Sequence, residues 1–206
     1  MTDIIRPILR GRDIKRYGYE WANIYLIATF PSRHYDIEKY PAVKEYLLSF
    51  GMERLEQTGK SHVINGEIVK ARKSSNNKWF ETQDNISYWD DFFKPKIIYP
   101  ETTQGAYFVY DNNGMMLDKT CFMLIAEDAE YLQMTLSSKL FEFAYKHIFA
   151  SVSLGDHGYQ YNKHALVKLP IYKPQTPILI ESDNIDEQIY RLYNISEEEI
   201  KEIESV

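Results

Sequence analysis

Lys96–Ala126, KIIYPETTQGAYFVYDNNGMMLDKTCFMLIA, is the stretch that decides the fold class. It holds three apolar runs, KIIYP at 96–100, AYFVY at 106–110 and TCFMLIA at 120–126. Each is rich in the β-branched and aromatic residues that suit a pleated surface. Asp111-Asn112-Asn113-Gly114 lies between the second and third. Asn and Asp bond their own backbone and Gly tolerates positive φ, so this is a turn signal. The stretch therefore predicts an antiparallel run of strands.

Outward from that core, Ile4–Leu9 and Trp21–Phe30 read as strands separated by RGRDIKRYG. Pro41 suits a first helical turn, where its missing N–H costs nothing, and Val43, Tyr46, Leu47 and Phe50 continue at helical spacing to about Leu55. Ile86–Phe93 reads as a short aromatic helix. The longest helical pattern is Ala129–Phe149, with Leu132, Leu136, Leu140, Phe143, Ala144 and His147 on one face. Val152–Asn162, with Gly155 and Gly158, reads as loop, and Ala165–Tyr172 as a last strand that Pro170 confines to an edge. Pro174 and Pro177 stiffen a linker. Helical candidates follow at Ile185–Tyr193 and from Ser196, whose spacing to Glu199 is that of a capping box.

With 206 residues, 44% hydrophobic and 26% charged, the chain fits one globular domain with an appendage. Its 17 tyrosines favour sheet and interface surfaces over a plain helical bundle. Cys121 is the single cysteine, which excludes an internal disulfide and implies a reducing, cytoplasmic setting. No apolar run is long enough to cross a bilayer, so no membrane partner is expected. The net charge of −6 argues at first against nucleic acid. However, residues 181–206 carry nine acids against Arg191 and Lys201, a net −7 that leaves +1 for residues 1–180. Charge balance neither supports nor excludes DNA.

Two basic clusters stand out. Arg10, Arg12, Lys15 and Arg16 form one; the other is KARKSSNNKWFETQD at 70–84, with Lys70, Arg72, Lys73 and Lys78 beside Asn76, Asn77 and Gln83. Arg matches the O6/N7 edge of guanine, Asn and Gln match adenine, and Lys anchors phosphate, so the inventory suits a surface that grips a duplex and reads its bases. The plain alternative is an exposed loop with solvated charges, in which Trp79 and Phe80 are core anchors rather than stacking platforms. Glu81 and Asp84 either pair with nearby bases of the loop or accept from cytosine.

Catalytic patterns are absent. There is no phosphate-cradling or dinucleotide glycine pattern, and His34, His62, His147, His157 and His164 are scattered without ligand spacing. The spacings Asp13 to Lys15 and Glu67 to Lys70 lack the upstream acid a nuclease needs, so a cryptic nuclease ranks last. No catalytic or metal-binding residue is assigned.

RPILRGRDIKRYG, KARKSSNNKWFETQD, KPKIIYPE, the SSKL of the long helix, YNKHALVKLPIYKP and IDEQIYRLYNISEEEIKEIE, in this order, closely resemble the TaqI-like C-terminal specificity domain. This is the target-recognition part of adenine-specific DNA methyltransferases and of fused type IIG restriction-modification enzymes. The resemblance implies a non-catalytic module that holds double-stranded DNA for a methyltransferase domain, and in some members a nuclease domain, located elsewhere. It implies no cofactor in this chain, with S-adenosylmethionine bound by the associated methyltransferase domain beside an Asn-Pro-Pro-Tyr motif absent here. A fragment and one half of a split system both fit. Strands and resemblance together predict an α+β fold: a curved, mostly antiparallel sheet, a long packed helix and a small C-terminal helical tail. The expected division is 1–174 for DNA recognition and 175–206 for the linker and acidic helices, which are expected to face away from DNA. The competing function is a protein-interaction module docking a methyltransferase or a phage partner, favoured by the net charge and the tyrosines.

Overall fold

A computed structural model describes residues 3–149, 158–174 and 182–205. The chain divides into two compact units, Met1–Arg6 with Tyr25–Trp89, and Pro7–Ile24 with Asp90–Val206. The sequence reading did not draw this division. The fold is α+β, as expected, with its antiparallel pairing divided among several small sheets. Most of the expected loop at 152–162, together with Pro177, lies outside the described residues.

The first unit contains the start of β1 (Ile5–Leu9), β2 (Tyr25–Ile27), α1 (Pro41–Leu48), α2 (Met52–Leu55), β3 (Ser61–Ile64) and β4 (Glu67–Lys70). Ile4, Ile37, Val43 and Phe80 form its core, with Leu47 and Trp79 packed against them. The expected strand Trp21–Phe30 shrinks to β2 because Asn23 sits at φ 56°, a left-handed conformation that ends an extended run. The expected helix to Leu55 is cut in two at Gly51, whose φ of 88° no helix continues through. β3 and β4 form an antiparallel hairpin around Asn65-Gly66, both at positive φ, as a two-residue turn of the favoured twist requires.

In the second unit, β5 (Lys96–Pro100) is buried along its whole length and flanked antiparallel by β7 (Val109–Asp111) and β9 (Cys121–Leu124). Between these come β6 (Thr102–Thr103), which pairs with β10 (Tyr159–Gln160), and β8 (Met116–Leu117), parallel to the end of β1. Alternation along β5 separates two cores. Ile97 and Tyr99 join Phe108, Phe141, Tyr145 and Ile189, whereas Ile98 joins Leu9, Ile14, Val109, Met115 and Cys121. Tyr99, Tyr145, Tyr159 and Tyr161 are buried in the first core rather than spread on a surface. Three of the hydroxyls find partners there: those of Tyr159 and Tyr161 lie 3.1 Å apart, and the Tyr145 hydroxyl donates to the Gln160 carbonyl and accepts from Asn162 N–H, each at 2.8 Å. Burial pushes the Cys121 thiol and the Tyr99 phenol up to about 12, so neither ionises near neutrality.

Lys96 and Asp111 face each other across β5 and β7, and both side chains are fully buried. Lys96 Nζ donates to Asp111 Oδ2 at 2.5 Å and to the Phe92 carbonyl at 2.6 Å. The Asp111 carboxylate also accepts from Asn113 and Met115 N–H, each at 3.2 Å, and so fixes the Asp-Asn-Asn-Gly turn.

The helix expected at Ala129–Phe149 is two helices, α3 (Ala129–Leu136) and α4 (Lys139–Ile148). Ser138 is extended, and its hydroxyl accepts from Phe141 N–H while donating to the Thr135 carbonyl. Ser offers the backbone a partner outside the helix and restarts it. The expected strand Ala165–Tyr172 is instead α5 (Lys163–Leu166) followed by irregular chain. Asn162 caps it, accepting from His164 N–H at 2.8 Å, and Pro170 donates nothing to a ladder. Ile86–Phe93 contracts to a 3-10 turn at Trp89–Phe93. α6 (Ile185–Leu192) buries Ile185 and Ile189 in the first core, and α7 (Glu197–Glu204) opens with the expected Ser196/Glu199 capping box. Among the described residues no helix is long and apolar enough to cross a membrane.

Candidate nucleic-acid interface

Gly11–Asp13 is a 3-10 turn in the second unit, and it splits the first basic cluster into fixed and outward side chains. Arg10 lays its guanidinium fork on the buried Asp13 carboxylate (Nε to Oδ2 3.0 Å, Nη2 to Oδ1 2.7 Å), and Arg10 N–H donates to the same group. Gly11 lies so close to Thr120 that a Cβ would stand 2.9 Å from its carbonyl oxygen. Arg16 donates to the Ser137 carbonyl and the Tyr17 hydroxyl, with Glu142 3.8 Å away. Arg12 and Lys15 are exposed. Arg12 has no carboxylate partner among the described residues, and Lys15 lies 3.7 Å from Glu20 and donates to the Arg12 carbonyl. A cleft of about 770 Å³ opens beside this turn, lined by Arg10, Arg12, Lys15, Thr102, Gln104 and Tyr107 among others. The sequence reading missed Gln104. The Thr-Thr-Gln-Gly break between two strands was its available signal.

The Arg10 hydrogen bonds hold the Asp13 carboxyl below its usual range, against the opposing effect of burial. A depressed carboxylate adds stability above its unfolded pKa, about 3.9, and loses it as pH falls through the lower folded value. Asp13→Asn is therefore expected to destabilise the protein at neutral pH and to match the wild type more nearly once pH falls well below about 3.9. Denaturant midpoints measured across that range check this; a constant gap between the two proteins would refute it.

Residues 70–84 of the first unit sort in the same way. Arg72 donates all three kinds of guanidinium nitrogen to backbone: Nε to Leu55 O at 2.9 Å, Nη1 to Glu81 O at 2.9 Å and Nη2 to Trp79 O. Asn77 Nδ2 closes the loop on the Thr82 and Gln83 carbonyls, each at 3.0 Å. Buried Gln57 donates to the Lys78 and Glu81 carbonyls and accepts from the Ser75 hydroxyl. The buried Glu81 carboxylate accepts from Lys78 N–H at 2.7 Å, and Phe80 is an anchor in the core. Lys70, Lys73, Asn76 and Lys78 point outward, and Gln83 is half-buried. Lys70 and Lys73 have no carboxylate partner among the described residues, while Lys78 Nζ lies 3.9 Å from Glu81 and 5.5 Å from the Phe80 ring centre.

Each cluster thus has a rigid frame of buried or half-buried polar groups and a set of outward cations and amides. Among the described residues no group of three or more His, Cys, Asp or Glu is placed to hold a metal ion. Residues 6–171 match the TaqI-like C-terminal specificity domain. The chain belongs to that family. TaqI-like specificity domains serve DNA recognition in methyltransferase and restriction enzymes and are not their catalytic parts. Both basic clusters fall within the matched span.

Proposed function

We propose that this chain is the target-recognition part of an adenine-specific DNA methyltransferase or of a fused type IIG restriction-modification enzyme, acting in the cytoplasm. It reads duplex DNA sequence-specifically and places one adenine for flipping into a catalytic domain that binds S-adenosylmethionine. The family match over 6–171 carries this reading. The side chains support a division of labour: Arg12, Lys15, Lys70, Lys73 and Lys78 hold phosphates, Asn76 and Gln83 reach base edges, and Arg10, Arg16, Arg72 and Asn77 keep both surfaces in shape.

Neutralising Lys70, Lys73 or Lys78 to Ala is expected to weaken binding to all duplexes alike, each change lowering the slope of log affinity against log salt by about 1. Asn76→Ala is expected to relax choice at one base pair, at a discrimination cost of roughly 1–3 kcal/mol. Titrations of the 206-residue chain at several salt concentrations separate the two effects. Exchanging this chain for another member in a parent methyltransferase and mapping the methylated sites tests the whole reading. An unchanged methylated sequence would overturn it.

A further inference from the structure

The β3–β4 hairpin turns two large apolar side chains into solvent. Val63 and Ile68, 76% and 78% exposed, are the most exposed of the large hydrophobics among the described residues, and they stand directly opposite each other in the ladder. The next pair on that face is Ser61 and Lys70, both exposed. The other face packs inward: Val69 is buried, and His62 Nε2 is hydrogen-bonded to Glu56 at 2.5 Å. Strand alternation therefore leaves a β-branched pair where no core uses it.

Cations gather at the base of this ribbon. Pairing continues past the strands, with Ala71 N–H donating to the Lys60 carbonyl at 2.9 Å and Gly59 N–H to the Arg72 carbonyl at 2.8 Å. Lys60, Lys70 and Lys73 are all exposed there, and none is ion-paired among the described residues. Glu67, exposed at the tip, pairs with Ile64 and so belongs to the other face. A methyl-rich tip with a cationic base matches a groove with apolar groups on its floor and phosphates along its edges. The major groove of duplex DNA has that form: it admits a two-stranded ribbon, and each thymine presents a methyl group in it.

We infer that this ribbon enters the major groove, where Val63 and Ile68 read thymine 5-methyl groups while Lys60, Lys70 and Lys73 hold the flanking phosphates. The inference rests on the proposed DNA-reading role and names the side of the base pair that is read.

The test begins by selecting bound sequences from a randomised duplex pool with the 206-residue chain. Each thymine of the selected site is then replaced by deoxyuridine, which lacks only the 5-methyl group. The wild type is expected to bind about 4-fold more weakly for each methyl that it buries. Val63→Thr/Ile68→Thr keeps β-branching, and hence the hairpin, but exchanges apolar groups for a hydroxyl at each position, and is expected to narrow that distinction with its salt slope and thermal melting unchanged. A wild type that selects a sequence yet ignores the methyl at every thymine overturns the inference and leaves the recognition role standing. A wild type that selects no sequence overturns both. Self-association of the wild type in sedimentation that the double variant abolishes, with thymine discrimination unchanged, marks the face as a protein contact and overturns the inference.

Discussion

Lys96→Met is expected to destabilise the protein by about 3–5 kcal/mol, the usual consequence of removing one partner of a buried ion pair. The substitution fits the space, but it leaves the Asp111 carboxylate fully buried without its cation, opposite the very residue that was changed. It also removes the Lys96 hydrogen bond to the Phe92 carbonyl. Adding Asp111→Asn to Lys96→Met should recover much of the loss. An uncharged amide is far cheaper to bury than a lone carboxylate, and its oxygen can still accept from Asn113 or Met115 N–H. Equilibrium urea unfolding of the three proteins checks the sequence of stabilities. If the double variant were no more stable than the single one, an uncompensated charge would not be the cause.

Arg72→Ala is expected to remove about 3 kcal/mol, since three backbone carbonyls lose a charged donor together. Arg72→Lys should not rescue it, because one ammonium cannot serve three carbonyls spread around a planar fork. Well below its melting temperature, Arg72→Ala should keep the wild-type salt slope for DNA. Its neighbour, Lys73→Ala, should do the reverse and leave melting unchanged. Calorimetry beside salt titrations distinguishes the two. If Arg72→Ala melted like the wild type and lowered the slope by about 1, Arg72 would be a phosphate contact instead.

That contrast shows where the sequence stops being informative. Arg72 and Lys73 are adjacent and carry the same charge. What separates them is the position of Leu55, Trp79 and Glu81 carbonyls, which no local pattern records. The strand β5 was legible to the residue because a strand buried on both faces must be continuously apolar apart from paired groups. The break between α3 and α4 was not, since the apolar spacing runs straight through Ser137 and Ser138 and only their hydrogen bonds reveal the interruption. The β3–β4 hairpin was legible in principle from Asn65-Gly66. It was overlooked because two of its four apolar residues, Val63 and Ile68, face water, so the strands lack the pattern of a core strand.

The way the chain passes between its two units also sets a timetable for synthesis. Leu9 and Ile14 emerge from the ribosome before residues they pack with, Ile98, Val109, Met115 and Cys121, which belong to a segment made only after the whole of Tyr25–Trp89. At about 5–20 residues per second, the wait is on the order of ten seconds. Through that interval the first apolar segment of the second unit has only its local partners, such as Tyr19 and Trp21, and lacks the strand residues that complete its core, which leaves PILRGRDI open to pairing with the wrong strand.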